Sequence, residues 1–387
     1  MIKRFYKDNI YLLKSSKKYR KLPAYDLLSY IDFSSNDYLG LSKNPLLIQA
    51  ATKVAMEFGV GATGSRLLSG NIKIFEEFES QIAKDKNTET SMIFNSGFQA
   101  NISVLSSLLD SKVLKSKPIV FFDRLNHSSL YQAIFLSKAK LVRYKHNDIE
   151  HLSDMLKKYA SDASPKFIVT ETIFGMDGDV LPIKEIVDLA SKYHAFLYLD
   201  ESHATGVIGK DGYGLSTTVN LNNIPHLIMG TFSKALGVSG GYIACDNIIK
   251  EYLINSCSGF IYSTANSPLV IGAAFKAWKL IKNFDLERAK INKLGNYLRN
   301  NIKNLGFDTG TSNTHIVPII LGKESQALET QKALLEQNFI TSCIRPPTVP
   351  ARTSRLRIAV NISHSDEQID QLLQIIANYV NAKTIIN

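Results

Sequence analysis

Cysteine is nearly absent: the 387 residues hold three, Cys245, Cys257 and Cys343. The number is odd, the spacings are wide and no CxxC occurs. That argues against a disulfide framework or a metal site, and for a reducing compartment. Long apolar runs are missing too. The longest near the middle, residues 268–275, is broken by Lys276 and is too short to cross a bilayer. No uninterrupted apolar segment opens the chain, so no signal peptide is expected, and the expected location is the cytoplasm. There are no repeats and no low-complexity tracts. With 45% hydrophobic and 21% charged residues, the chain is expected to bury a large core and not to be disordered. Zinc-finger spacings and basic helices with interleaved aromatics are also lacking, so neither nucleic acid nor membrane is an expected partner.

Positive charge is in excess, at a net +10. It is densest at Lys3, Arg4, Lys7, Lys14, Lys17, Lys18, Arg20 and Lys21 and is otherwise scattered. The plain reading is a solvated surface; the other is a general attraction for anionic substrates.

Along the chain, residues 1–45 read as an N-terminal arm, 46–280 as a large domain and 281–387 as a small one. Asn44 followed by Pro45 marks an N-cap and first helical position, with a helix to about Phe58. Gly59, Gly61 and Gly64 match GxGxxG formally. They follow a helix and not a strand, so they read as a loop and not as a dinucleotide site. Next, apolar strand candidates alternate with helical patterns: strands at 91–94, 119–123, 141–144 and 167–171, helices at about 97–110, from about Asn126, and at 148–160 and 183–194. Short apolar runs without polar alternation fit strands buried on both faces of a mainly parallel sheet. One long helical stretch is expected from Ser267-Pro268 to about Asn304. The C-terminal part reads as α+β, with strands near 316–321, 339–344 and 356–360.

The polar residues of interest gather at strand ends. A buried strand ends in Asp200, His203 follows three residues later, and a second apolar run leads into Thr231-Phe232-Ser233-Lys234 and then Gly237, Gly240 and Gly241. Carboxylates at strand ends mark sites in α/β proteins. A lysine packed among Phe232, Ala235 and Leu236 can have its amine pKa lowered enough for covalent chemistry. Taken singly, each has an ordinary reading: Asp200 as a helix cap, His203 as a satisfied core histidine, Lys234 as a solvated amine. His127, in the first turn of a helix, reads alone as a cap. Ser96-Gly97-Phe98 opens a helix after a strand, where free amides suit a phosphate; Thr231 and Ser233 add hydroxyls. A phosphate site, an amine, a buried carboxylate and two histidines together point to pyridoxal 5'-phosphate.

On these residues the chain resembles the α-oxoamine synthases, within the aspartate-aminotransferase fold type of pyridoxal-phosphate enzymes. The matching pieces are Asn36-Asp37-Tyr38-Leu39-Gly40-Leu41, Asn126-His127-Ser128-Ser129, Glu171 with Met176-Asp177-Gly178-Asp179, Asp200-Glu201-Ser202-His203-Ala204-Thr205-Gly206, Thr231-Phe232-Ser233-Lys234, Ile261-Tyr262-Ser263-Thr264 and Arg355-Leu356-Arg357. Arg345-Pro346-Pro347-Thr348-Val349-Pro350 resembles the branch that joins L-alanine to a pimeloyl thioester in biotin synthesis. Glycine-using sisters such as glycine C-acetyltransferase share Lys234, Asp200 and His203, so those three do not separate the branches.

The resemblance implies an α/β fold with a mainly parallel seven-stranded sheet and a smaller α+β C-terminal domain. It implies an acyltransferase in which Lys234 carries the cofactor covalently and then removes the Cα proton. Asp200 would hold the pyridine nitrogen protonated, His127 would lie over the ring, and His203 would bond its phenolic oxygen. Gly97, Phe98 and Thr231, with Ser96, would hold the phosphate. Ser263 and Thr264 would reach it from a neighbouring subunit, making a homodimer with shared active sites. Asn36 and Arg357 would hold the amino-acid carboxylate; Arg20 and Thr348 would contact the acyl substrate, carried on CoA or acyl-carrier protein. Arg357 and Arg20 also have readings as plain surface residues. Many members carry serine where this chain has Gly175, which excludes a side-chain hydrogen bond to the cofactor at that position.

Overall fold

The computed structural model describes residues 1–26 and 28–384, with side chains through residue 378. In chain order its strands are β1 (Ile31–Asp32), β2 (Thr90–Phe94), β3 (Ile119–Asp123), β4 (Lys140–Tyr144), β5 (Lys166–Glu171), β6 (Phe196–Asp200), β7 (His226–Thr231), β8 (Gly241–Cys245), β9 (Ile316–Gly322), β10 (Phe339–Ile340), β11 (Ser342–Ile344) and β12 (Ser354–Ala359). The first five helices are α1 (Ile2–Ser15), α2 (Pro45–Phe58), α3 (Lys73–Lys86), α4 (Gly97–Leu108) and α5 (Ser128–Ser137). No helix among the described residues is long and apolar enough to cross a membrane.

The chain divides into two compact units. One is Asn36–Gly175 with Val180–Ala289; the other is Met1–Ser35, Met176–Asp179 and Lys290–Asn387. The expected boundaries were 45/46 and 280/281. The N-terminal arm groups with the C-terminal part because β1 pairs in parallel with β10.

The larger unit holds a seven-stranded sheet in the order β2-β8-β7-β6-β5-β3-β4. Only β8 runs against its neighbours; β7, β6, β5, β3 and β4 are paired in parallel. The fold is therefore the mainly parallel seven-stranded α/β sheet that the resemblance implies. Its strands β3, β6, β7 and β8 are buried almost throughout, which is why their sequences carry unbroken apolar runs. Phe94, Val104, Phe122, Val169, Tyr198, Met229 and Ile243 belong to the core on one face. Strand β8 was not anticipated: Gly240 and Gly241 at its start read as a continuing turn.

Helix starts follow their caps. Asn44 Oδ1 accepts from Leu46 N–H at 2.9 Å and Pro45 opens α2, as its sequence requires. The stretch expected as one helix from 267 to 304 is two, Pro268–Ile281 and Asp285–Asn304. Arg288 sits at the break: its Nη1 donates to Ile281 O at 2.6 Å, which also accepts from Phe284 N–H, and its Nη2 pairs with Asp285 at 2.5 Å.

The smaller unit has a three-stranded antiparallel sheet, β11-β12-β9. Phe33, Leu298, Val317, Ile319, Leu356, Ile358, Leu372 and Ile376 form its core. The expected strand at 339–344 is two strands that enter different sheets, β10 with β1 and β11 with β12.

Candidate active site

The site is built from the carboxyl ends of the parallel strands of the larger unit. Asp200 ends β6 and is 2% exposed. Its Oδ1 accepts from Ser202 N–H at 2.8 Å and its Oδ2 from Asn101 Nδ2 at 2.8 Å. Both oxygens are thus oriented, and the helix-cap reading of Asp200 falls away. Beside it in register on β5 stands Glu171, which accepts from His127 N–H at 2.5 Å. Burial, then the neighbouring Asp200 charge, raises the Glu171 carboxyl well above the ordinary 4.5.

His127 is the N-cap of α5. Its Nδ1 accepts from Ser129 N–H at 3.3 Å and lies 2.7 Å from Ser129 Oγ. The cap reading is therefore correct, and it leaves the other side of the ring to the site. Burial chiefly lowers its pKa; Asp200 opposes this and Lys234 adds to it. His203, on the turn after β6, has Nδ1 at 2.7 Å from Tyr38 Oη, which donates to Asn36 Oδ1 at 2.9 Å. Tyr38, Asn36 and His203 thus form one hydrogen-bonded group, with Tyr38 0% exposed and Asn36 half-buried.

Lys234 lies three residues beyond the end of β7, on a loop with a firm base. Phe232 stacks on Phe78 (centroids 5.1 Å apart) and on Tyr242 (5.5 Å). Thr231 Oγ1 donates to Gly240 O at 2.7 Å, and Gly240 turns the chain at φ +127°. Phe232, Ala235 and Leu236 are buried around a half-buried Lys234.

The N-terminus of α4 supplies free amides. Ser96 caps it through Oγ from Gln99 N–H at 3.1 Å. A Cβ on Gly97 would sit 3.3 Å from Thr231 Cβ, and one on Gly241 would sit 2.8 Å from Gly97 N. Glycine at 241 lets β8 approach the cup closely. Within the same chain, Ser263 Oγ accepts from Gln99 Nε2 at 2.7 Å and Thr264 O from Asn95 Nδ2 at 2.7 Å. Both hydroxyl-bearing residues stand beside their own chain's α4.

A phosphate-sized group of amides, an oriented buried carboxylate, two histidines and a lysine in one unit fit pyridoxal phosphate. Ser96, Gly97, Phe98 and Thr231 would hold its phosphate, Asp200 its pyridine nitrogen and Lys234 its aldehyde carbon. Arg20, Thr348 and Arg357 belong to the smaller unit. Arg20 Nη2 donates to Thr348 Oγ1 at 3.4 Å. Arg357, on β12, is 3% exposed, so it is not a surface residue. Burial, then the Arg357 charge, depresses His315 to about 3.

Four residues that orient the site were not singled out from sequence as site residues: Tyr38, Asn101, Ser129 and Glu171. Tyr38, Ser129 and Glu171 lie inside recognisable motifs. Asn101 offered one signal, a polar side chain between Ala100 and Val104 in a largely apolar helical stretch.

Gly175 has a positive reason for lacking a side chain. A Cβ there would stand 2.3 Å from His203 Nε2 and 2.9 Å from two ring carbons. The imidazole occupies the space that a serine would fill. Gly175→Ala is expected to displace the His203 ring from Tyr38 and weaken cofactor binding about tenfold, at the cost typical of overpacking; a fluorescence titration with pyridoxal phosphate measures it.

Glu171 yields a pH prediction. Its folded pKa is raised, so the stability it confers is full below 4.5 and lost as pH rises through the folded value. Glu171→Gln keeps an acceptor for His127 N–H. It is expected to be more stable than the parent at pH 8 by more than about 1 kcal/mol, with the gap closing toward pH 4 in denaturant unfolding of the cofactor-free protein.

The model of the aminotransferase class I and II family matches residues 29–376. An 8-amino-7-oxononanoate synthase of Gluconacetobacter diazotrophicus is 42% identical over 350 residues, 90% of this chain and 87% of that one. A protein of Paramagnetospirillum magneticum, provisionally given the same name, is 45% identical over 352 residues, 91% and 89% of the two chains. Among solved structures, a serine palmitoyltransferase from S. paucimobilis with a bound PLP–myriocin aldimine superposes with TM-score 0.85 at 27% identity, covering 92% of this chain and 88% of that one. The 8-amino-7-oxononanoate synthase of Francisella tularensis superposes with TM-score 0.80 at 28% identity, covering 92% and 99%. The chain therefore belongs to the class I and II aminotransferase family, as a pyridoxal-phosphate-dependent acyltransferase of the 8-amino-7-oxononanoate synthase group.

Proposed function

We propose that this enzyme condenses L-alanine with a pimeloyl thioester, on CoA or acyl-carrier protein, to 8-amino-7-oxononanoate, CO2 and the free thiol carrier, a step of biotin synthesis. The observation that carries the reading is the match to relatives of that name along nine-tenths of the chain, 90% for the Gluconacetobacter diazotrophicus protein. Bound pyridoxal phosphate supplies an electron sink for charge that develops at the amino acid's Cα as its proton, and later CO2, leaves.

The chain's own residues do the rest. Lys234 holds the cofactor covalently between turnovers; once displaced, its amine takes and returns the Cα proton. Asp200, oriented by Asn101 and Ser202, keeps the pyridine nitrogen protonated. His127 would cover a ring face, and His203, held by Tyr38, would serve the phenolic oxygen. Asn36 and Arg357 bind the L-alanine carboxylate, for which an arginine fork is suited. Arg20 and Thr348, already in contact, meet the acyl chain. Ser263 and Thr264 reach the phosphate across a homodimer.

The test is product analysis by mass spectrometry, with L-alanine or glycine against pimeloyl-CoA, pimeloyl-acyl-carrier protein, acetyl-CoA and palmitoyl-CoA. The expected product is 8-amino-7-oxononanoate from L-alanine and a pimeloyl thioester. Turnover confined to glycine with acetyl-CoA assigns the chain to glycine C-acetyltransferase instead.

A further inference from the structure

One chain of buried hydrogen bonds in the larger unit joins the two groups that would flank the cofactor ring. Asn101, on α4, is 2% exposed and every link of its amide is made. Its Oδ1 accepts from Tyr198 Oη at 2.9 Å. Its Nδ2 donates to Asp200 Oδ2 at 2.8 Å and to Ser129 Oγ at 2.9 Å. Ser129 Oγ in turn lies 2.7 Å from His127 Nδ1.

The direction of each link follows from which atom can donate. An ionised carboxylate only accepts, so Asn101 must present its amino group to Asp200. The same amino group meets Ser129, whose oxygen therefore accepts there and is left with a proton to offer His127 Nδ1. Ser129 N–H, which can only donate, also points at that nitrogen, at 3.3 Å. His127 Nδ1 thus receives two donors and has no room for a proton of its own. The ring proton of the neutral imidazole is then on Nε2.

We propose that Asn101 is a positioning residue that sets both cofactor-flanking groups at once. It orients the Asp200 carboxylate directly, and through Ser129 it holds His127 as the neutral Nε2–H tautomer. The tautomer is a property of the protein alone; only its consequence for the cofactor rests on the ring placement proposed above. The groups around His127 agree with a neutral ring. Burial and the Lys234 charge outweigh Asp200 to lower its pKa. A neutral ring avoids a further cation beside Lys234 and a protonated pyridine.

The experiment is nitrogen NMR of the full-length protein labelled at histidine, with and without pyridoxal phosphate, alongside cofactor titration. The parent is expected to show His127 with an unprotonated Nδ1 and a protonated Nε2 in both states. Ser129→Ala and Tyr198→Phe test the relay with small, shape-preserving changes. Ser129→Ala is expected to give a mixture of tautomers; Tyr198→Phe frees the amide of Asn101 and is expected to do the same more weakly. Asn101→Ala is expected to give the mixture and also to raise the cofactor dissociation constant by about ten- to a hundredfold, the range for a lost hydrogen bond to a charged group. Ser129→Ala is expected to raise it by a smaller factor, because Asn101 still holds Asp200.

A protonated Nδ1 in the parent overturns the proposal, as does a parent-like single tautomer in Ser129→Ala. If Asn101→Ala does not fold, those two readings still decide it. A relay that behaves as expected, with unchanged cofactor affinity in Asn101→Ala, overturns the Asp200 half and the placement of the pyridine nitrogen on Asp200, while the tautomer half stands.

Discussion

Lys234→Ala is expected to abolish turnover and covalent cofactor attachment together. The loop carrying Lys234 is braced by Phe232 against Phe78 and Tyr242 and by Thr231 against Gly240, and none of these contacts uses the lysine amine. The substitution therefore removes the amine and leaves the loop. In the proposed mechanism the amine serves twice, as covalent anchor and as the group that moves the Cα proton, so the expected loss is on the order of 10^4-fold in turnover. Mass spectrometry after borohydride reduction should find the phosphopyridoxyl adduct on Lys234 in the parent and none in the variant. Substantial remaining turnover would sink the assignment of Lys234.

Breaking the Lys86–Glu201 pair is expected to have the largest effect on stability. Both side chains are 0% exposed. Glu201 Oε1 accepts from Ser216 N–H at 2.7 Å, and Oε2 accepts from Ser216 Oγ at 3.0 Å and from Lys86. Lys86 also donates to Tyr213 O and lies over the Tyr242 ring, 5.5 Å from its centroid. Gly214 makes room for them: a Cβ there would stand 2.2 Å from Glu201 Oε2. Glu201→Gln strands the Lys86 charge, and Lys86→Met strands that of Glu201. Each single change is expected to cost about 3–5 kcal/mol, while the double change costs less than the sum, because no charge is left unpaired. Denaturant unfolding of all four proteins measures the cycle; single losses under about 1 kcal/mol would refute the pair's role.

The pH sense of this pair is fixed by Lys86. Burial lowers its pKa, but the Glu201 and Tyr242 charges outweigh burial and raise it above 10.5. The stability that Lys86 confers through its raised pKa is therefore fully present below 10.5 and lost as pH rises through the higher folded value. Because Glu201 follows Asp200 directly, the same pair anchors the turn that carries Asp200, Ser202 and His203.

Much of the fold was legible because its signals are local. Asn44-Pro45 announces α2, and apolar runs ending in Asp123, Glu171 and Asp200 announce β3, β5 and β6. Where the reading went astray, a distant contact decided. Arg288 sits at the break in the helical stretch after Ile281, and pairing with β1 or β12 divides residues 339–344. Strand β8 is recognisable only once its position between β2 and β7 is known.

The sequence by itself determined the class of protein and the chemistry it carries. Strand–helix alternation, a carboxylate at a strand end, a phosphate-suited helix start and a lysine in a glycine-rich turn are each written in a few consecutive residues. Only the tertiary structure decided how those groups are held. Asn101 reaches Asp200 across 99 positions of chain, and Glu171 meets His127 across 44, because the fold brings α4 to the end of β6 and the sheet order sets β5 between β6 and β3. Gly175, a missing serine when read along the chain, proves to be the space that the His203 ring occupies. Hydrogen-bond partners distant in sequence follow from strand order and packing, and no local pattern of residue types encodes either.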